Sequence, residues 1–169
     1  QDTTPPILTI PDDVTMECAA PGGTIVDIGT AVATDSCDAT VTITNDAPAL
    51  FPLGDTIVTW TAKDDSNNSM TAMQTVTVED TIPPDLTLAL SPTTLWPPNH
   101  KLRTINASIT VSDICDANPV VRLSSVTSNE LDNGIGDGNT VNDIRGAAPG
   151  TDDRKFKLRA ERSGNGTGR

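Results

Sequence analysis

The sequence predicts an all-β protein built as two tandem immunoglobulin-like β-sandwiches, the second lacking its last strands. Three observations lead there. Threonine occurs 26 times in 169 residues and alternates with valine and isoleucine in short runs, the composition of half-buried strands. Asp, Asn, Gly and Pro, the residues of turns, break those runs. Finally, "DTTPPILT" at 2–9 returns as "DTIPPDLT" at 80–87, and the same shift of 78 carries "DSCDA" (35–39) onto "DICDA" (113–117) without a gap. One unit of about 80 residues written twice suits a small sandwich. The predicted domains are therefore residues 1–79 and 80–169.

The elements of the first domain follow in order. "ILTI" (7–10) alternates and stops at Pro11-Asp12-Asp13, and "VTMEC" (14–18) resumes the extended pattern until "APGGT" breaks it. "TAVAT" (30–34) runs into the Asp35–Asp38 turn, and "TVTIT" (40–44) ends at Asn45-Asp46. "DTIVTWTA" (55–62) places Val58, Trp60 and Ala62 on one face, which makes Trp60 a core residue. After "KDDSNNS", "TAMQTVTV" (71–78) places Val76 and Val78 together. In the second domain "RKFKLRAER" turns Phe156, Leu158 and Ala160 inward, with Lys155, Lys157 and Arg159 outward. Only "SGNGTGR" follows, so strands matching "TIVTWTAKD" and "TAMQTVTVED" are expected beyond Arg169 or from another molecule. A sheet edge left open in this way is a template for strand addition.

Charge narrows the function classes. Residues 1–78 hold 11 acids against the single base Lys63, whereas 79–169 hold 12 acids and 10 bases. Such an acidic first half is the opposite of what phosphate recognition needs, so no nucleic-acid partner is expected. No apolar run reaches the length of a membrane span. Asp outnumbers Glu 19 to 4 and falls mostly in turns, which turn chemistry and cation binding both select.

"DTTPPILTIPDDVTMEC", "ATDSCD", "TNDAPALFPLGDTIVTWTAKDDSNN" and "QTVTVEDTIPP" together resemble a bacterial-type hyalin repeat (HYR) domain over residues 2–80. Phe51 to Asp64 is the most specific stretch, and Asn67-Asn68 departs from the usual Gly-Asn. "LWPPNHK" (95–101) and "LRAERSGNGTGR" (158–169) resemble a variant unit that follows such repeats. The resemblance implies an immunoglobulin-like fold, an extracellular or cell-surface location, and adhesive or spacer work without catalysis. Its partners would be other protein subunits or cell-surface components, a homopolymer among them. The alternatives are a filament subunit completed by strand exchange and an accessory domain of a secreted enzyme.

Candidate site residues are few. Cys18 and Cys37 are the one pair within a repeat and form the expected disulfide, although a simple sandwich could leave them at opposite ends. Cys115 has no such mate, because Trp96 stands where Cys18 stands in the first repeat. His100 reads as a turn histidine, and no phosphate loop, nucleophile elbow or HExxH occurs. The carboxylates carry a topological argument. In this fold the leading linker and two loops gather at one end, bringing Asp2, Asp35, Asp38, Asp64 and Asp65 together in the first domain, and Asp80, Asp113 and Asp116 in the second. Crowded carboxylates cost energy unless a cation neutralises them, and calcium, with six to eight oxygen ligands, fits flexible acidic loops. Asp132, Asp137 and Asp143, in "LDNGIGDGNTVND", form a weaker echo of a calcium loop.

Overall fold

The computed structural model describes residues 2–128, 132 and 140–161. Among these, strands and turns account for all regular structure, as the composition predicts. Two compact units emerge, Gln1–Pro83 with Ile114–Ala117, and Pro84–Asp113 with Asn118–Arg169.

The first unit contains six strands: β1 (Ile7–Thr9), β2 (Val14–Glu17), β3 (Val32–Thr34), β4 (Thr42–Asn45), β5 (Gly54–Lys63) and β6 (Ser69–Glu79). One sheet has the order β2-β6-β5-β4, and β1-β3 forms a small sheet that packs against it. The long β5–β6 hairpin pairs antiparallel from Gly54↔Val78 to Lys63↔Ser69, while β2 joins β6 in parallel. Strict alternation then sends Val58, Trp60, Ala62, Val76 and Val78 to one buried face. Fully burying each valine contributes about 1.5–3 kcal/mol. Phe51 adds a second anchor: its backbone exchanges two 2.9 Å hydrogen bonds with Thr24, and its ring joins the same core. The approach is close enough to need glycine at position 23. Gly23 has φ +117°, and a Cβ there would stand 3.0 Å from the Phe51 carbonyl oxygen.

The expected Cys18–Cys37 disulfide is not formed. Cys18 is bonded instead to Cys115, with Cα atoms 6.0 Å apart, and Cys37 is an exposed thiol. Strand direction is the reason. Because β2 runs parallel to β6, Cys18 emerges beside Glu79, whose carbonyl accepts its N–H at 2.8 Å. That is the trailing end of the unit. Cys37 follows β3, which is antiparallel to β1 and so finishes at the leading end. The segment Ile114–Ala117 belongs to the first unit, and Cys115 packs against its core.

The second unit is one sheet in the order β7-β8-β10-β9, from β7 (Asp85–Ser91), β8 (Leu102–Ser112), β9 (Ile144–Arg145) and β10 (Lys155–Arg159). The repeat extends to register. Ile7↔Thr34, Leu8↔Ala33 and Thr9↔Val32 in the first unit become Asp85↔Ser112, Leu86↔Val111 and Thr87↔Thr110 in the second, each shifted by 78. The Thr87 and Thr110 hydroxyls hydrogen-bond across this pair. Phe156 is buried opposite Ile105, as the alternation of "RKFKLRAER" predicts. The apolar face differs in its cover. Leu8 packs against the core of the first unit, whereas its counterpart Leu86 is 52% exposed and Leu88 57%. These leucines line an apolar cleft of about 390 Å³ with Ile109, Leu123 and Phe156.

Candidate functional site

Three turns build the leading end of the first unit, each ordered by an aspartate that caps its own backbone. Asp2 Oδ1 accepts the Thr4 N–H at 3.0 Å, and Asp35 Oδ1 accepts those of Cys37 and Asp38 at 2.8 and 3.1 Å. Asp64 opens the β5–β6 turn and takes both the N–H and the side-chain amide of Asn68, at 2.7 and 2.8 Å. Asn68 reaches on to the Asp2 carbonyl at 3.4 Å, tying the leading linker to this turn. Local capping explains one oxygen of Asp2 and of Asp35, and both of Asp64.

The remaining oxygens define the site. Carboxylate oxygens of Asp2, Asp38 and Asp64 lie within 4.8 Å of one another, and Asp2, Asp35 and the Cys37 thiol form a second group on the same criterion. The Oδ2 atoms of Asp2, Asp35 and Asp38 are buried from solvent without a hydrogen-bond partner among the described residues. Asp64 is only 5% exposed. Desolvation pushes the Asp38 carboxyl above the usual aspartate range, and repulsion from Asp64, Asp65 and Asp2 adds to it, against an opposing backbone hydrogen bond from Asp65. Buried oxygens with unused lone pairs and mutual repulsion match the needs of a hard cation. Asp2, Asp35, Asp38 and Asp64 are thus brought together.

The other expected ligands lie elsewhere in the chain. Asp80 and Asp116 belong to the first unit, both exposed, and Asp113 belongs to the second. Asp132 uses its two oxygens to accept the backbone N–H groups of Asn142 and Asp143, at 3.0 and 2.7 Å. Asp137 lies outside the described residues.

A charged cluster in the second unit escaped the sequence reading. Arg159 does not face outward: its side chain is 12% exposed and its Nε lies 3.2 Å from both Asp143 Oδ1 and Glu161 Oε1. The guanidinium also donates to the carbonyls of His100 and Val141, at 2.9 and 3.0 Å. Thr140 donates to Glu161, and His100 Nδ1 stands 3.4 Å from the same carboxylate. One guanidinium between two buried carboxylates, with its protons directed at carbonyls, holds loop 140–143 and the His100 turn against β10. His100 is a turn residue at φ 57°, and its carbonyl, not its ring, meets Arg159.

No helix among the described residues is long and apolar enough to cross a membrane. Comparison with curated proteins finds hyalin from Lytechinus variegatus, 36% identical over 93 residues. The aligned part takes in 52% of this chain and 18% of hyalin, so the chain spans under a fifth of that relative's length. Residues 1–78 match the HYR domain family.

Proposed function

We propose that this is an extracellular, non-catalytic adhesive protein built from HYR-type units, with calcium held at the leading end of the first. The HYR match over residues 1–78 carries the adhesive reading, and the likeness to hyalin supports it. A disulfide fits a protein exported to an oxidising compartment. The calcium reading rests on the buried, unpartnered Oδ2 atoms of Asp2, Asp35 and Asp38 beside the buried Asp64. These carboxylates would supply part of a calcium shell, with backbone carbonyls and water completing six to eight oxygens. Calcium bound there screens the repulsion that lifts Asp38.

Calorimetry on the 169-residue chain tests the metal part. Free calcium at about 100 times its dissociation constant stabilises by about 2.7 kcal/mol. For a unit of this size that raises the midpoint by roughly 10–20 °C. Equal midpoints in calcium and in chelator end the calcium reading. Beads coated with the protein test adhesion: they should cluster in calcium and disperse in chelator, and beads that stay single in both end the adhesive reading.

A filament subunit is the second reading, favoured by one observation. β7 is exposed along its whole length, and Leu86, Leu88 and Leu90 present an apolar face. Strands from a neighbouring molecule would cover it. Sedimentation at rising concentration separates the two, because a filament subunit keeps growing and an adhesive module stops at a fixed size.

A further inference from the structure

Cys37 is exposed and outside any disulfide, while Cys115, its counterpart one repeat later, is bonded to Cys18. The two stand in the same local sequence, "DSCDA" and "DICDA". Their backbone setting also matches. The strand before each pairs with the first strand of its repeat in the same register, and each cysteine lies three residues past the last paired position, Thr34 or Ser112. Cys18 is the other half of the bond: it ends β2 at the trailing end of its unit. The bond therefore joins the strand-end cysteine of one repeat to the turn cysteine of the next, not two cysteines of one repeat.

We propose that Cys37 is the receiving half of a second such junction. It pairs with the strand-end cysteine, of the Cys18 type, of another HYR-type unit docked on the leading end of the first unit. An unfilled cleft lies beside it. Thr4, Pro5, Ile7, Thr34, Asp35 and Ser36 line a hollow of about 210 Å³, and Ile7 is 73% exposed at its edge. Cys115 packs instead against apolar core residues of the unit that supplies Cys18. As the bond forms, the two thiols give up two protons and two electrons. A disulfide oxidant, protein or small molecule, accepts them and leaves as two thiols. The inference rests on the repeat register and needs neither calcium nor adhesion.

Disulfide mapping of native protein, isolated with its thiols blocked by alkylation and without reduction, tests this. Cleavage ahead of aspartates separates the three cysteines into peptides 13–26, 35–37 and 113–115. The expected result is peptide 13–26 joined to 113–115, and 35–37 joined to a further peptide with a strand-end cysteine from another HYR-type unit. The mass of that peptide states whether it comes from the same polypeptide or a second one. Cys37 recovered alkylated, joined to glutathione, or bonded to Cys18 or Cys115 overturns the proposal. The 169-residue chain produced alone should show one maleimide-reactive thiol, lost in C37S with the Cys18–Cys115 bond intact. Labelling at Cys18 or Cys115 instead also overturns it.

Discussion

Replacing Gln74 with methionine should destabilise the first unit more than any other single polar substitution in β6. The side chain is fully buried and makes three hydrogen bonds to separate parts of the sandwich. Its Oε1 accepts the Trp60 indole N–H at 3.0 Å, and its Nε2 donates to the carbonyls of Asp12 and Ile28 at 2.7 and 3.1 Å. Gln74 thereby fastens the β5–β6 hairpin to the chain entering β2 and to the chain leading into β3. Methionine keeps the volume and flexibility, so the packing cost stays small. The polar cost does not. A buried donor left unsatisfied costs about 1–3 kcal/mol, and the two carbonyls, nearer to solvent, cost about 0.5–1 each. The sum, about 2–5 kcal/mol, is a large share of the roughly 4–12 kcal/mol expected for a unit of this size. The midpoint should fall by roughly 8–40 °C. Urea unfolding followed by near-ultraviolet circular dichroism and tryptophan emission measures it, with W60F and the W60F/Q74M double variant closing a cycle. A loss below about 1 kcal/mol, or additive effects in the cycle, would refute the reasoning.

Three further outcomes follow from the same unit. Because Asp38 holds its proton to higher pH when folded, calcium-free protein should lose stability as pH rises from the ordinary aspartate range through the raised value; titration of D38N should flatten that slope and remove any calcium gain. Glu17 is held below the usual range chiefly by the Thr81 backbone N–H, then by its hydroxyl. Its contribution is present above the ordinary glutamate value and lost as pH falls through the lowered one, so T81A should cost stability at neutral pH, flatten the acid limb of the stability curve and cost little below the lowered value. Breaking the Cys18–Cys115 bond opens a loop of sequence separation 97, so C115S should cost about 2–5 kcal/mol in thermal unfolding while C37S costs nothing measurable.

Legibility in the sequence tracks how local the determining contact is. The strands of the first unit were readable because period-two alternation acts residue by residue: Val58, Trp60, Ala62, Val76 and Val78 had to share a face once "TIVTWTA" and "QTVTV" were strands. The leading-end aspartates were readable because each is fixed by its own turn, and the topology of such a sandwich decides which turns meet. The disulfide was not. Two cysteines 19 positions apart look like a pair, but the parallel β2–β6 pairing sends Cys18 to the far end, and a parallel pairing leaves no mark on local sequence. Arg159 failed for a related reason. Alternation fixes the direction in which a side chain leaves the strand but not what else arrives there, and Asp143 and Thr140 come from a separate loop. Gln74 shares the Val76–Val78 face by the same alternation, yet two of its three partners are backbone carbonyls that no residue type announces.

The repeat in the sequence and the unit in space are consequently different objects. The sequence repeats from Asp2 to Asp80, but the first compact unit also takes Ile114–Ala117 from the second repeat. Cys18 is a strand-end cysteine buried at the core, and its own repeat keeps its second cysteine at the other end. The next repeat supplies its partner, at the turn after the strand whose register copies the first repeat. A fragment cut at the sequence boundary, residues 1–79, would lose the Cys115 half of the bond and leave Cys18 exposed at the trailing end. Where folding energy is concerned, the divisible piece is the strand sandwich together with the borrowed turn.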